Sequence, residues 1–200
     1  MRKRLLYLGY AILFNALGTA LMAESDLGMS AWGTAAINLS KFLGVSLGLA
    51  FNIVAVVFYL FALLIMKKFS LKEALFSFGF SIFFGLFSDI FMYMIPDIPE
   101  SLVSLRIIVN IMGLFILLFG IAIHLRINLA VHPMDVYLGS VQRALMSVAK
   151  GTYLAYFSAF LVAIVFGLLS GGIIGIGLGT INTLLFGGLI LDFYDKKLRI

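Results

Sequence analysis

The sequence predicts an all-α polytopic membrane protein: six transmembrane helices in two inverted three-helix repeats, each with a short re-entrant or interfacial helix. Three observations predict it. The composition is too apolar for a soluble domain, the charge-poor stretches are long enough to cross a bilayer, and the basic residues cluster between those stretches in an order that repeats.

Of 200 residues, 63% are hydrophobic and 12% charged, with a mean hydropathy of +1.16. A soluble domain is about 45–50% apolar and about 25% charged. Twenty phenylalanines add to the excess. A chain of this size in water has no core large enough to hide that surface, so the bilayer is the expected solvent and partner. The net charge of +5 does not imply nucleic acid, because its Lys and Arg residues sit in short clusters between apolar runs, where they orient a membrane protein. The absence of cysteine excludes disulfides, thiolate metal sites and cysteine nucleophiles.

The spans follow from length. A helix rises about 1.5 Å per residue, so a hydrocarbon core of about 30 Å needs roughly 20 apolar residues. Residues 5–23, uncharged between Arg4 and Glu24, read as a retained first span rather than a cleaved signal peptide, because no small-residue cleavage site follows. Residues 42–66 lie between Lys41 and Lys67, residues 74–95 are broken only by Asp89, and residues 107–125 lie between Arg106 and Arg126. Residues 151–191 carry no charge and supply two crossings, with a turn expected at Ser170-Gly171-Gly172.

Residues 33–46 and 134–148 read as short helices with a polar stripe, formed by Thr34, Asn38 and Lys41 in one and Ser140, Arg143 and Ser147 in the other. Helices of that length fall short of a crossing, leaving a re-entrant or interfacial placement.

Charge fixes the orientation. Six spans with an internal N-terminus put Arg2, Lys3, Arg4, Lys67, Lys68, Lys72, Arg126, Arg143, Lys150, Lys196, Lys197 and Arg199 inside, and only Lys41 and Arg106 outside. If both short helices crossed, Lys67, Lys68, Lys72 and Arg126 would move outside while Lys41 and Arg106 moved in. The positive-inside rule favours six spans with both termini cytoplasmic.

The two halves, 5–97 and 103–197, resemble each other within a single membrane domain. Gly18 through Leu21 and Leu27 match Gly120 through Ile123 and Leu129, and Lys41 and Leu43 match Arg143 and Leu145. After a one-residue insertion, Gly48, Gly85 and Asp89 match Gly151, Gly188 and Asp192. Three crossings per half is an odd number, so the second half enters from the opposite face, as in many transporters.

The connection Ser25-Asp26-Leu27-Gly28-Met29-Ser30-Ala31-Trp32 resembles the "aDLGxxPWD" signature of bacterial YczE/YitT-type (YczE/YyaS/YitT) membrane proteins. The last span, from Gly177 to Leu185 with Gly188 and Asp192 beyond it, resembles the same group. The first half departs from the pattern with Ala31 and Gly33 in place of Pro and Asp. The second keeps Pro133 and Asp135 but has Met134 in place of Trp. The resemblance covers nearly the whole chain and implies a multi-span plasma-membrane protein with a transport-related role; it supplies no substrate.

In the inverted arrangement, residues 24–34 and 126–136 approach each other from opposite faces, each leading into a helix N-terminus with free amides and positive dipole potential. Trp32, Gly33 and Thr34, with His132, Pro133 and Asp135, are then the candidate substrate-binding residues. The plainer reading is that Ser30 or Thr34, and His132 or Asp135, only cap helices. Asp89 and Asp192 form a candidate ion or proton pair, or hold the short helices in place. Asn15, Asn52, Asn110 and Asn182 read first as interhelical hydrogen bonders. His124 and His132, with only Asp135 as a further ligand, read as interfacial histidines rather than a metal site. The glycines between 171 and 179 read as packing residues, since no strand precedes them for a dinucleotide motif.

The expectation is a small secondary transporter or channel-like permease with its substrate at the interface of the repeats. The alternative is a membrane binding or scaffold subunit, such as the substrate-capture component of an energy-coupling transporter, docking through Ala16 and Ala20. No paired carboxylates, Ser–His arrangement or metal cluster points to an enzyme or a cofactor. The expected partners are lipid, a small solute or ion, and a second copy of the chain.

Overall fold

The computed structural model describes residues 2–127, 129 and 132–198. Those residues form eight helices and no strand: α1 (Arg2–Ser25), α2 (Ala31–Leu43), α3 (Leu47–Met66), α4 (Leu71–Met94), α5 (Val103–Ile127), α6 (Pro133–Ala144), α7 (Val148–Leu169) and α8 (Leu178–Lys197). Five of them, in α1, α3, α4, α5 and α7, are long and apolar enough to cross a membrane. Helix α8 is 20 residues long but ends in Asp192, Asp195, Lys196 and Lys197.

Serine sets half of the helix starts. Ser30, Ser46, Ser70 and Ser147 each accept a hydrogen bond from a backbone N–H three residues on. The expected span from residue 42 is therefore divided, because α2 ends at Gly44 in the left-handed conformation and Ser46 restarts the chain as α3. Helices α2 and α6, of 13 and 12 residues, measure only about 20 and 18 Å, too short to cross.

Packing selects small and polar side chains for the interior and leaves large apolar ones outside. Helix α1 buries Ala11, Asn15, Ala16, Thr19 and Ala20, whereas Leu60 and Leu64 of α3 and Leu189 of α8 lie exposed. Water would enforce the reverse; lipid permits it, because small residues let helix backbones approach. Ala155, Ala159 and Ala163 make such a stripe on α7, and Ala159 packs with Ala31 and Ala35 of α2.

Helices α1 and α5 run antiparallel at the centre. A methyl group at Gly18 would overlap Leu117, and one at Gly120 would lie 2.6 Å from Asn15 N. The other contacts pair off across the two halves: α1 packs on α4 as α5 packs on α8, α2 on α7 as α6 on α3, and α2 on α3 as α6 on α7. Among the extensive pairings, one has no counterpart. Helices α3 and α4 pack closely, whereas α7 and α8 do not.

The short helices meet at their N-terminal halves, where the Trp32 and Tyr137 rings lie 6.4 Å apart. From there they diverge. Lys41 near the end of α2 donates to Gly172 O beyond the end of α7, at 3.3 Å, while Arg143 near the end of α6 reaches Met66 Sδ at the end of α3.

Candidate functional site

A cavity of ≈ 550 Å³ lies between α1, α4, α5 and α6 on one side and α7 and α8 on the other. Its walls are mostly apolar and aromatic, with Phe51, Phe80, Phe84, Trp32 and Tyr156 among them. Asn15 and Thr19 of α1, Gln142 of α6, Thr152 of α7 and Thr183 of α8 supply uncharged polar groups. Asp135 is the one residue with a formal charge on the wall, among the described residues.

The polar end of the cavity is built where α5 stops and α6 starts. Pro133 occupies the first helical position of α6, which suits its missing N–H. His132 caps the helix, with its Nδ1 accepting from Met134 N–H at 3.3 Å. That bond leaves the ring proton on Nε2, which has no hydrogen-bond partner although the side chain is buried. His124, near the end of α5, is only 2% exposed, and neither of its ring nitrogens is hydrogen-bonded. Its Nε2 lies 3.7 Å from Asp135 Oδ2, too far for a hydrogen bond. Phe80 stands edge-on to both imidazoles, with centroids at 5.3 and 5.6 Å. Among the described residues, no three His, Asp or Glu side chains converge as metal ligands do.

Of the six sequence candidates, Trp32, His132 and Asp135 border this cavity. The other three do not. Thr34 is fully buried and donates to Ser30 O and Gly175 O, each at 3.0 Å. Gly33 lies against Met29 and Ser30, and Pro133 is enclosed at the start of α6. Gly33 and Thr34 are removed from the wall because the α7–α8 connection laces over the start of α2. Gly175 O accepts from Met29 N–H at 2.9 Å, Asn38 Nδ2 donates to Ile174 O at 2.7 Å, and Ile174 N–H donates to Asn38 Oδ1 at 3.0 Å. Among the described residues, no connection is hydrogen-bonded across His132 and Asp135 in this way. Asn128, Ala130 and Val131 of the preceding connection lie outside the described residues.

Asp89 and Asp192 are treated differently by the fold. Asp89 accepts from Gly48 N–H at 2.7 Å and from the Ser46 hydroxyl at 2.6 Å, tying α4 to the start of α3. Asn52 Nδ2 donates to Gly48 O at 2.9 Å and its Oδ1 accepts from Ser81 at 2.8 Å, closing the same seam. Asp192 instead pairs with Lys196 at 2.6 Å on an exposed face. Gly151, matched to Gly48 by sequence, packs on Gln142 of α6, and Gly188 has nothing within 4 Å of the position a Cβ would take.

Both histidines are enclosed by helices. His124, Phe80 and Tyr156 belong to the site only through tertiary packing. The one linear signal was the proximity of His124, His132 and Asp135 in the chain, and it carries no geometry.

A largely apolar, eight-helix protein with a central cavity bearing one carboxylate is, as a class, a polytopic helical membrane protein. The chain belongs to the family of unknown function DUF6198, whose model matches residues 2–196. It is 30% identical over 192 residues to "Uncharacterized protein YyaS" of Bacillus subtilis (strain 168), covering 94% of this chain and 90% of that one. The YyaS-type assignment made from the Asp-Leu-Gly connection and the last span therefore holds. No solved structure gives a significant match.

Proposed function

We propose that this chain is a secondary transporter, not an enzyme, in which two inverted three-helix repeats enclose one substrate cavity and rock to expose it alternately on each face. Helix α8 is the sixth span, with Asp192 and the charges beyond it at headgroup depth.

Reciprocal contacts support the repeat. Arg106 donates to Ser25 O at 2.6 Å, and Arg4, 102 residues before Arg106, donates to Ile127 O, 102 residues after Ser25. Gly18 lies on Leu117 while Gly120 lies on Asn15, again 102 apart in each direction. Ser30 and His132 cap the two short helices at the same offset. An exchange in which i meets j and j′ meets i′ marks a two-fold relation. The antiparallel α1 and α5 make that relation an inversion in the membrane.

The observation that carries transport is the broken symmetry. The α3–α4 seam is closed by Gly48, Asn52, Ser81 and Asp89, whereas the equivalent helices α7 and α8 are held apart by the cavity, with Thr152 and Tyr156 on one wall and Thr183 and Gly187 on the other. Two copies of one unit in two conformations are what alternating access requires. With both termini cytoplasmic by the positive-inside rule, the closed seam faces outward and the open one faces the cytoplasm. The subunit alternative loses its docking face, because Ala16 and Ala20 are fully buried within the chain.

Thiol cross-linking tests the reading on a background free of cysteine. Asn52→Cys with Ser81→Cys should cross-link readily in the resting protein. Thr152→Cys with Gly187→Cys should do so slowly, and the cross-linked product should lose solute uptake in proteoliposomes. Identical cross-linking at both seams, with no solute moved in a broad uptake screen, would defeat the proposal.

A further inference from the structure

We infer that the cavity binds an organic monocation, an amine or quaternary ammonium with an apolar body, through Asp135 and the aromatic wall; this rests on reading the cavity as the substrate site.

Charge comes first. Asp135 sits in the first turn of α6, where the helix dipole favours a carboxylate. A third of its side-chain surface is open to the cavity, and among the described residues the one basic side chain within 4 Å of its carboxylate is the His124 imidazole, at 3.7 Å. No Lys or Arg borders the cavity, among the described residues, so an anion would meet an unopposed negative charge. A carboxylate in a low-dielectric enclosure interacts strongly with whatever charge enters beside it.

Size and wall chemistry narrow the class. A dehydrated metal ion needs a cage of several oxygen or nitrogen ligands, and no three candidate ligands converge here, among the described residues. A cavity of ≈ 550 Å³ instead matches an organic molecule. Trp32, Phe80, Phe84 and Tyr156 offer ring faces and edges around the space, the surroundings in which an ammonium group is held by cation–π attraction.

Tetraphenylphosphonium and tetraphenylborate, alike in shape and opposite in charge, test the class on the purified full-length chain by equilibrium dialysis. Saturable binding of one tetraphenylphosphonium per chain is expected, with tetraphenylborate failing to displace it. Asp135→Asn should weaken binding roughly tenfold or more, while Asp135→Glu keeps it within about threefold. Equal displacement by tetraphenylborate in the wild type overturns the inference without recourse to any variant. So does unchanged affinity in a folded Asp135→Asn protein. Uptake of tetrapropylammonium into proteoliposomes separates the two claims. Asp135-dependent binding without uptake supports the cation site while counting against transport. Uptake of an anionic solute with no tetraphenylphosphonium binding overturns the cation site and leaves transport standing.

Discussion

Asp89 and Asp192 stand at matching places in the two halves, yet one is part of a closed seam and the other is solvent-facing. Asp89 accepts two short hydrogen bonds, from Gly48 N–H and the Ser46 hydroxyl, and charge-assisted bonds of this kind contribute about 1.5–3 kcal/mol each. Asp89→Ala should therefore lower the thermal midpoint in detergent by an amount equivalent to about 2 kcal/mol. Asp192 faces Lys196 across one exposed helical turn, and such pairs contribute little. Asp192→Ala should melt with the wild type while slowing uptake, if that carboxylate closes the α7–α8 seam in the other state. Equal stability losses for both variants would show that the two carboxylates do the same structural work. At this scale the sequence pairs Asp89 with Asp192 through Gly and Asp at matched spacing. It did not show their partners, since hydrogen bonds between α3 and α4 join positions 41 and 43 residues apart.

The short helices and their neighbours decide the interior. Ala159 of α7 packs with Ala35 of α2, and Phe58 of α3 meets Tyr137 of α6 with ring centroids at 4.9 Å. Ala35 and Tyr137 are 102 apart, whereas Phe58 and Ala159 are 101 apart. By packing, then, α7 sits two residues away from the register that matches Gly48 to Gly151. The small stripe of α7 sets that register by letting α2 approach closely. Ala159→Leu should push α2 and α7 apart and cost about 1–3 kcal/mol, read as a lower midpoint. A change this close to Trp32, whose ring lies 6.3 Å from that of Tyr156, should also alter ligand affinity. No change in either would mean that the α2–α7 contact is loose. Helix positions were legible along the chain because apolar length and serine or glycine caps are local properties. The boundary at residues 44–46 was blurred, with the short helix read to 46 and the span from 42, because the apolar run continues through it; the left-handed Gly44 and the Ser46 cap mark it.

For the molecule as a whole, the decisive test is topology. Lys41, at the end of α2, and Met146, just beyond α6, are both exposed, and they lie at opposite ends of the bundle if the halves are inverted. Lys41→Cys should react with a membrane-impermeant maleimide from outside intact cells, and Met146→Cys only after the membrane is opened. Labelling of both from one side would remove the inverted repeat and with it the alternating cavity. The reciprocal Arg4 and Arg106 contacts belong to this scale too. The equal spacing of the two arginines is visible in the sequence, but the backbone carbonyl each one seeks lies on the opposite half.

The chain by itself determined that the protein is helical and largely apolar, with five helices long and apolar enough to cross a membrane and two short polar-striped ones. Composition, apolar length and capping act within a few residues, so they can be read without the fold. Tertiary structure alone decided which polar groups share a space: it enclosed His124 with His132 and Asp135, withdrew Gly33 and Thr34 behind the α7–α8 connection, and closed the α3–α4 seam while leaving α7 and α8 apart. Those outcomes depend on how backbones approach across distant helices, and a bilayer that rewards any apolar outer surface leaves that choice to interior packing.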